Sequence, residues 1–449
     1  MRLDVWMEGL DSPAGSLVRA RDRSLSFVYA VDAPAEARIS AAMPVREEPY
    51  GDAACVAYFG NLLFEGRELD RIMDGFGIDR DDIGALLHHL GADCPGAISV
   101  TPEGTGPGKR PGRFPDDYEE LSQDDLRRLM VSLHFRGRLP EGAGDPSPLA
   151  GVQPKLALVA RDGRYFLPRE GSRAPTTHVL KVSPRDDADL TRHEAALLSL
   201  ARNCKLDVIE SSYVEIDDEE TCASIGALLS CRFDRAFDGR TVRRIHSEDF
   251  AQALGLPRSL KYERDAVIPE RRFSLEAVGR LALGTVAPAK FQLEFLAHTL
   301  FNLAVGNTDN HAKNGAILYD GQAGRLAPLY DVVPVMMDRR VTHAFSALIG
   351  GASYAEDLTV PALEAAFRDL GFLRARMSGS RLKLLRDIAK LSGPILERES
   401  GKSLADAVAT QMRVIEGATG LDLHVPQRDF YPRQTRDEAA LTVGWGGLS

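Results

Sequence analysis

Gly306-Asn-Thr-Asp-Asn-His-Ala-Lys-Asn314 is the stretch on which the reading of this chain turns. It follows an apolar run of helical spacing at 291–305 and precedes a short run of strand character at 316–319. Asp309 and Asn314 therefore stand five residues apart on a helix-to-strand turn. Phosphoryl transfer is mostly positioning and charge neutralisation. It asks a protein for a carboxylate to hold the acceptor hydroxyl and an amide oxygen to help fix Mg2+. Lys313, between the two, is placed to steady charge on the group in transit. An ordinary polar turn is also rich in Asn, Asp, Gly and Thr, so the loop alone leaves both readings open.

The flanks add to it. Leu326-Ala-Pro-Leu-Tyr-Asp331 brings a carboxylate to the end of an apolar strand, where a second Mg2+ ligand belongs; a helix cap or a solvated carboxylate is the bland alternative. Residues 316–329 read as a hairpin around Asp320-Gly321 that returns Asp331 beside Asn314. Upstream, Thr177-His-Val-Leu-Lys181 ends an apolar strand in lysine, costly to bury without an anion such as an ATP phosphate, although a snorkelling side chain fits equally well. Glu194, on the following helix, is placed to orient it. Ala150, Gly151, Val152, Gln153, Pro154 and Lys155 form a weak candidate phosphate loop with a single glycine. The order decides the matter: loop, strand lysine, helix glutamate, strand at 228–233, Asp-x4-Asn and strand-end Asp follow one another as in protein kinases.

The chain has 449 residues, 44% hydrophobic and 27% charged, enough for several subdomains and far from a disordered composition. Its net charge of −10 disfavours direct binding to a phosphate backbone. The five cysteines are odd in number and form no Cys-x-x-Cys pair, which argues against a disulfide framework or zinc ribbon. No basic-then-apolar leader and no 18-residue apolar window are visible, so the expectation is a cytoplasmic protein with no membrane partner. Two look-alikes fall away. Gly104-Thr-Gly-Pro-Gly-Lys109 has the wrong glycine spacing and no following Ser or Thr for a phosphate loop, and the adjacent His88 and His89 cannot share one helix face as metal ligands.

Patterning divides the chain into strands and then helices up to 105, a Pro/Gly-rich linker and lobe entry at 106–147, and a strand-rich lobe at 148–237. A helical lobe at 238–425, opened by a helix at 247–254, and a tail at 426–449 follow. The fold class is α+β: a two-lobed protein-kinase-like fold, sheet-rich then helical, with an extra N-terminal α/β subdomain.

With these residues in view, the sequence resembles the HipA-like serine/threonine kinase toxins of bacterial toxin–antitoxin systems along nearly its whole length. The carrying motifs are Ala150-Gly-Val-Gln-Pro-Lys-Leu-Ala-Leu158, Thr177 to Lys181, Arg232-Phe-Asp-Arg235, His246 to Leu254, Lys261-Tyr-Glu263, Gly306 to Asn314 and Leu329-Tyr-Asp331. Tyr58-Phe-Gly-Asn-Leu-Leu-Phe-Glu-Gly66 and Gly91-Ala-Asp-Cys-Pro-Gly-Ala97 add to them. The resemblance implies ATP and Mg2+ held by residues 150–155, Lys181, a hinge of Cys231, Arg232 and Phe233, His311 to Asn314, and Asp331, with Asp309 as proton acceptor. It also implies a protein serine as substrate, notably on an aminoacyl-tRNA synthetase, growth arrest, and a small helix-turn-helix (HipB-like) antitoxin that brings operator DNA with it. The self-phosphorylated serine common in the family is replaced here by Pro148, with Ser147 one residue earlier, and the often acidic hinge position is Cys231. A small-molecule or lipid kinase on the same scaffold, or a silent antitoxin-bound co-repressor, are the competing expectations.

Overall fold

The computed structural model describes residues 1–63, 67–140, 153–218, 220–321 and 323–433. It divides into two units: residues 1–191, 210–258 and 316–324 form the first, and residues 192–209, 259–315 and 325–449 the second.

The first unit begins with strands β1 (Arg2–Met7), β2 (Gly15–Arg19) and β3 (Leu25–Tyr29), joined by β4 (Ile98–Pro102) into an antiparallel sheet of order β3-β2-β1-β4. Alternation in Leu3, Val5 and Met7 sends every second side chain inward. They pack with Leu17, Phe27, Tyr58, Phe59, Leu86 and Leu87 against helices α1 (Asp52–Phe59), α2 (Arg67–Phe76) and α3 (Ile83–Leu90). The sequence pattern of strands then helices omits β2 and β4; β2 has only Val18 as a strong strand former, and β4 is fixed by pairing with β1 across some ninety residues of chain.

Strands β5 (Gly112–Arg113) and β6 (Tyr118–Leu121) lead to helix α4 (Gln123–Arg136). Ser122 caps its start by accepting from the Asp125 N–H at 3.1 Å, and Gly137 ends it at φ 68°. Strands β7 (Lys155–Arg161), β8 (Arg164–Pro168), β9 (His178–Val182), β10 (Ser211–Asp218) and β11 (Ala223–Cys231) then complete a six-stranded sheet of order β10-β11-β9-β7-β8-β6. One face of it, Leu156, Leu158, Leu180, Val182, Ile225 and Ala227, buries against Leu126, Leu129, Met130 and Leu133 of α4. Burying a side chain of that size is worth about 1.5–3 kcal/mol, which a one-residue slip in register would forfeit. The opposite face carries Lys155, Ala157, Lys181 and Leu228.

Strand β12 (Arg235–Phe237) pairs with β13 (Thr241–Arg244), which pairs with β5, while β14 (Ser247–Asp249), β15 (Ala316–Asp320) and β16 (Ala323–Leu326) form a further sheet. The expected helix at 247–254 is corrected here. Ser247, Glu248 and Asp249 pair with β15, and only α6 (Phe250–Ala253) is helical, because Asp249 and Gln252 form a reciprocal capping box that starts the helix late. Likewise the strand expected at 228–233 stops at Cys231.

A buried ionic network also belongs to this unit. Asp234 takes both arms of Arg232 at 3.0 Å, an ion pair from Arg235 at 2.7 Å and the Gly96 N–H at 2.9 Å. Asp93 lies 3.6 Å from Lys109 and from Arg235 and 3.9 Å from Arg244, which Glu8 meets at 3.1 Å. The two neighbouring guanidinium groups hold the Asp234 carboxyl well below the usual carboxylate range against the opposing effect of burial.

The second unit is mostly helical: α5 (Leu190–Asn203, entering from the first unit), α7 (Leu275–Ala282), α8 (Pro288–Val305), α9 (Val360–Asp369), α10 (Ser380–Ser400) and α11 (Lys402–Thr419). Helix α8 is buried on nearly every side from Phe295 onward, so it reads apolar all round rather than amphipathic. Among the described residues no helix is long and apolar enough to cross a membrane.

Candidate active site

Helix α8 delivers the loop. Gly306 ends it in the left-handed region at φ 72°, with its N–H turned back on the carbonyls of Asn302 and Leu303. A β-carbon there would run into the side chain of Met336. Asn307 donates through Nδ2 to Asn302 Oδ1 at 2.9 Å and to the Asp331 carbonyl at 3.4 Å, and accepts the Asp309 N–H at 3.3 Å. The Asp309 carbonyl then takes two donors, the His311 N–H and Asn314 Nδ2, both at 2.8 Å. The five-residue spacing is thus a closed ring, and it commits the nitrogen of the Asn314 amide to the loop. Lys313 donates its N–H to His311 Nδ1 at 3.3 Å and accepts from the Tyr330 hydroxyl at 3.0 Å through its carbonyl.

The half-buried Asp309 carboxylate accepts a hydrogen bond from the Tyr262 hydroxyl at 2.6 Å. Burial pushes its pKa up to about 6, while the Tyr262 bond and the charge of Lys261 pull against it and Asp331 adds to the rise. At neutral pH the group is mostly ionised and close to its switching point, as a general base should be. No spacing rule points to Tyr262, which lies 47 residues away in sequence.

Asp331 follows the chain segment anchored through Leu329, whose N–H donates to Asp207 at 2.9 Å and whose carbonyl accepts from Ile209 at 3.0 Å. Its φ of 56° is unusual for a residue with a β-carbon, and such strain costs on the order of 1 kcal/mol or more. Asn307 joins this position to the Asp309 loop, so Asp309, Lys313, Asn314 and Asp331 are one assembly within the second unit.

In the first unit, Lys155 and Lys181 are direct partners across β7 and β9, and Pro154 accepts the Val182 N–H at 2.9 Å, with Gln153 just before it. Ala150, Gly151 and Val152, like Ser147 and Pro148, lie outside the described residues. Glu194 is buried on α5 in the second unit. At the expected hinge, the Cys231 N–H is spent on Glu210 and the Arg232 N–H on Thr177, both at 2.8 Å. The Arg232 guanidinium is committed to Asp234. The N–H groups of both residues are thus used within the fold, and the Arg232 carbonyl accepts the Arg235 N–H at 3.3 Å. Phe233 follows, half-buried.

Residues 3–101 match the HipA N-terminal domain and residues 147–390, more than half of the chain, match the HipA-like C-terminal domain. The chain belongs to the HipA-like kinase family. Among its relatives is Y4mE of Sinorhizobium fredii, which carries a kinase name: 34% identical, with the match covering 74% of this chain and 76% of the relative. The serine/threonine-protein kinase toxin HipA of Shewanella oneidensis is 30% identical over 62% of each chain, so here the match spans less than two thirds of the relative. The solved structure of the Shewanella oneidensis HipA, HipB and operator DNA complex aligns with a TM-score of 0.73 at 22% identity, over 94% of this chain and all of that one. The α+β kinase fold and the kinase class of this HipA-like chain follow.

The residues present suit the partners a kinase needs. A carboxylate and an amide oxygen are hard donors of the kind Mg2+ takes, and it binds by one or two protein groups completed by phosphate and water. Two ammonium groups leaving one sheet face suit a polyphosphate.

Proposed function

We propose that this protein transfers the γ-phosphoryl group of ATP to a serine or threonine hydroxyl of a protein, with Asp309 as proton acceptor. The observation that carries the reading is the Asp309 carboxylate, held by Tyr262 in a loop closed by Asn314 and tied through Asn307 to Asp331. The acceptor oxygen bonds to the γ-phosphorus as the bond to the β–γ bridging oxygen breaks. The bonding electrons leave with ADP, and the hydroxyl proton passes to Asp309. On this reading Lys181, Lys155 and residues 150–154 would hold the phosphates, Glu194 and His311 would belong to the nucleotide-binding set, and Lys313 would steady charge on the group in transit. Cys231, Arg232 and Phe233 border the adenine. Asn314 and Asp331 would hold Mg2+, which supplies charge neutralisation on the phosphates when bound.

The same reading makes the protein the toxin of a toxin–antitoxin pair, acting in the cytoplasm and arresting growth by phosphorylating a translation enzyme such as an aminoacyl-tRNA synthetase. A helix-turn-helix antitoxin resembling HipB would be its partner and would bring operator DNA with it; the Shewanella complex holds such components together. Incubation with γ-labelled Mg·ATP and a bacterial lysate tests this. Label on a discrete protein is expected, and Asp309→Asn should reduce it by roughly 10²–10⁴-fold. Label confined to small molecules would replace the protein acceptor with a metabolite, and no ATP turnover at all would leave a co-repressor only.

A further inference from the structure

A carboxylate that accepts a proton must present the right oxygen, and nothing in the Asp309 loop itself sets the rotation of its side chain. The hydrogen bonds inside that loop that reach Asp309 run to its backbone. The side chain is met from another segment, Lys261-Tyr262-Glu263.

We propose that Tyr262 is a positioning residue for this base: its hydroxyl occupies Asp309 Oδ1 and so leaves Oδ2 to the acceptor hydroxyl. The inference rests on the assignment of Asp309 as base. Tyr262 is buried and its ring is fixed on several sides. The Arg264 guanidinium lies over it at 3.9 Å, and the His311 ring meets it edge-on at 5.2 Å. Its backbone is pinned as firmly. The preceding carbonyl, of Lys261, accepts the Ala312 N–H at 3.0 Å, and the following N–H, of Glu263, donates to Ser346 at 2.8 Å. Ser346 in turn donates through Oγ to the Thr308 carbonyl at 2.6 Å, and Leu348 donates its N–H to the Glu263 carboxylate at 2.7 Å. The hydroxyl is thus held at a set point relative to both ends of the loop that carries Asp309. A tyrosine that served packing alone would need no donor aimed at the one carboxylate in that loop, and phenylalanine would do as well.

The test is a double-mutant cycle on the full chain, read as protein-bound label from Mg·ATP with a phosphatase-treated bacterial lysate as acceptor. Tyr262→Phe is expected to lower kcat about tenfold to a hundredfold through misplacement of the base, with the KM for ATP and the thermal midpoint little changed. In an Asp309→Asn background the same substitution should cost nothing further, since there is no base left to aim. Restoring a donor with 4-aminophenylalanine at position 262 should recover most of the rate. If the Phe variant fails to fold, the 4-aminophenylalanine variant carries the same cycle, with a smaller loss that again vanishes beside Asp309→Asn. Full activity in Tyr262→Phe while Asp309→Asn is inactive overturns the positioning role and leaves the base assignment standing. So do losses that multiply across the cycle. Full activity in Asp309→Asn removes both.

Discussion

Lys155 and Lys181 stand directly opposite each other on neighbouring antiparallel strands, with both side chains on the sheet face that α4 does not cover. Like charges in that relation repel by a few tenths to about 1 kcal/mol, and an anion bound over that face would offset the repulsion. Replacing either lysine by methionine is expected to shrink the thermal stabilisation produced by Mg·ATP. At a fixed nucleotide concentration the shift follows the logarithm of affinity, so a hundredfold loss in affinity removes about 2.7 kcal/mol of it. A nucleotide-induced shift equal to that of the wild type in both variants would place the phosphates elsewhere.

Gly306 is required twice, by its left-handed backbone and by the closeness of Met336. Gly306→Ala should destabilise the chain by roughly 1–3 kcal/mol, read from the urea midpoint. Because the displaced loop carries Asp309, transfer activity should fall even under conditions where the variant is fully folded. An unchanged midpoint would show that Met336 yields without cost.

Asparagine tolerates the left-handed region, so Asp331→Asn should preserve the backbone at φ 56° while removing the formal charge. The expected result is a Mg2+ requirement raised by about tenfold or more with little change in thermal midpoint. Titrating activity against Mg2+ at saturating ATP checks it; an unaltered Mg2+ dependence would remove Asp331 from the metal.

Glu248 is a buried carboxyl that accepts from Ser40 Oγ at 2.6 Å, the Ala41 N–H at 2.8 Å and the Tyr319 hydroxyl. Burial raises its pKa from 4.5 to about 7, against the lowering effect of those hydrogen bonds. Folding therefore favours the protonated form. Its contribution is complete below about pH 4.5 and is lost as the pH rises through about 7, amounting to no more than about 3 kcal/mol. Glu248→Gln should flatten that part of the pH–stability curve, which denaturation at pH 5 and pH 8 would reveal. Parallel curves for variant and wild type would mean that Glu248 is ionised throughout.

The candidate site is legible in sequence where it is local. Asp309, Lys313 and Asn314 lie within one turn that follows an unbroken apolar helix, and the strand carrying Lys181 announces itself by alternation and β-branching. Tyr262 lies in the Lys261-Tyr-Glu263 motif of the resemblance, but its bond to Asp309 is not legible because a contact across 47 residues leaves no periodic trace. The helix over 123–136 did carry a signal, Leu126, Leu129, Met130 and Leu133 after a capping serine, that a reading centred on linkers passes over. Residues 247–249 mislead because Asp249 serves as a helix cap while still pairing as a strand, and sequence alone gives such a residue to the helix. The guanidinium of Arg232 has a partner two positions on, yet only its depth in the fold makes that partner binding.

The ionic network around Asp93 and Asp234 sets how this chain can be divided. Four cations, Lys109, Arg232, Arg235 and Arg244, share three carboxylates there, and two of the three, Glu8 and Asp93, come from the first hundred residues. A protein begun at residue 106 would retain every cation and a single counter-ion, and would also lose the Gly96 and Ile98 carbonyls to which Arg235 and Arg244 donate. The amino-terminal sheet is in that sense a charge donor to the rest of the molecule, and recombination that exchanged it for a neutral module would inherit an unpayable electrostatic debt.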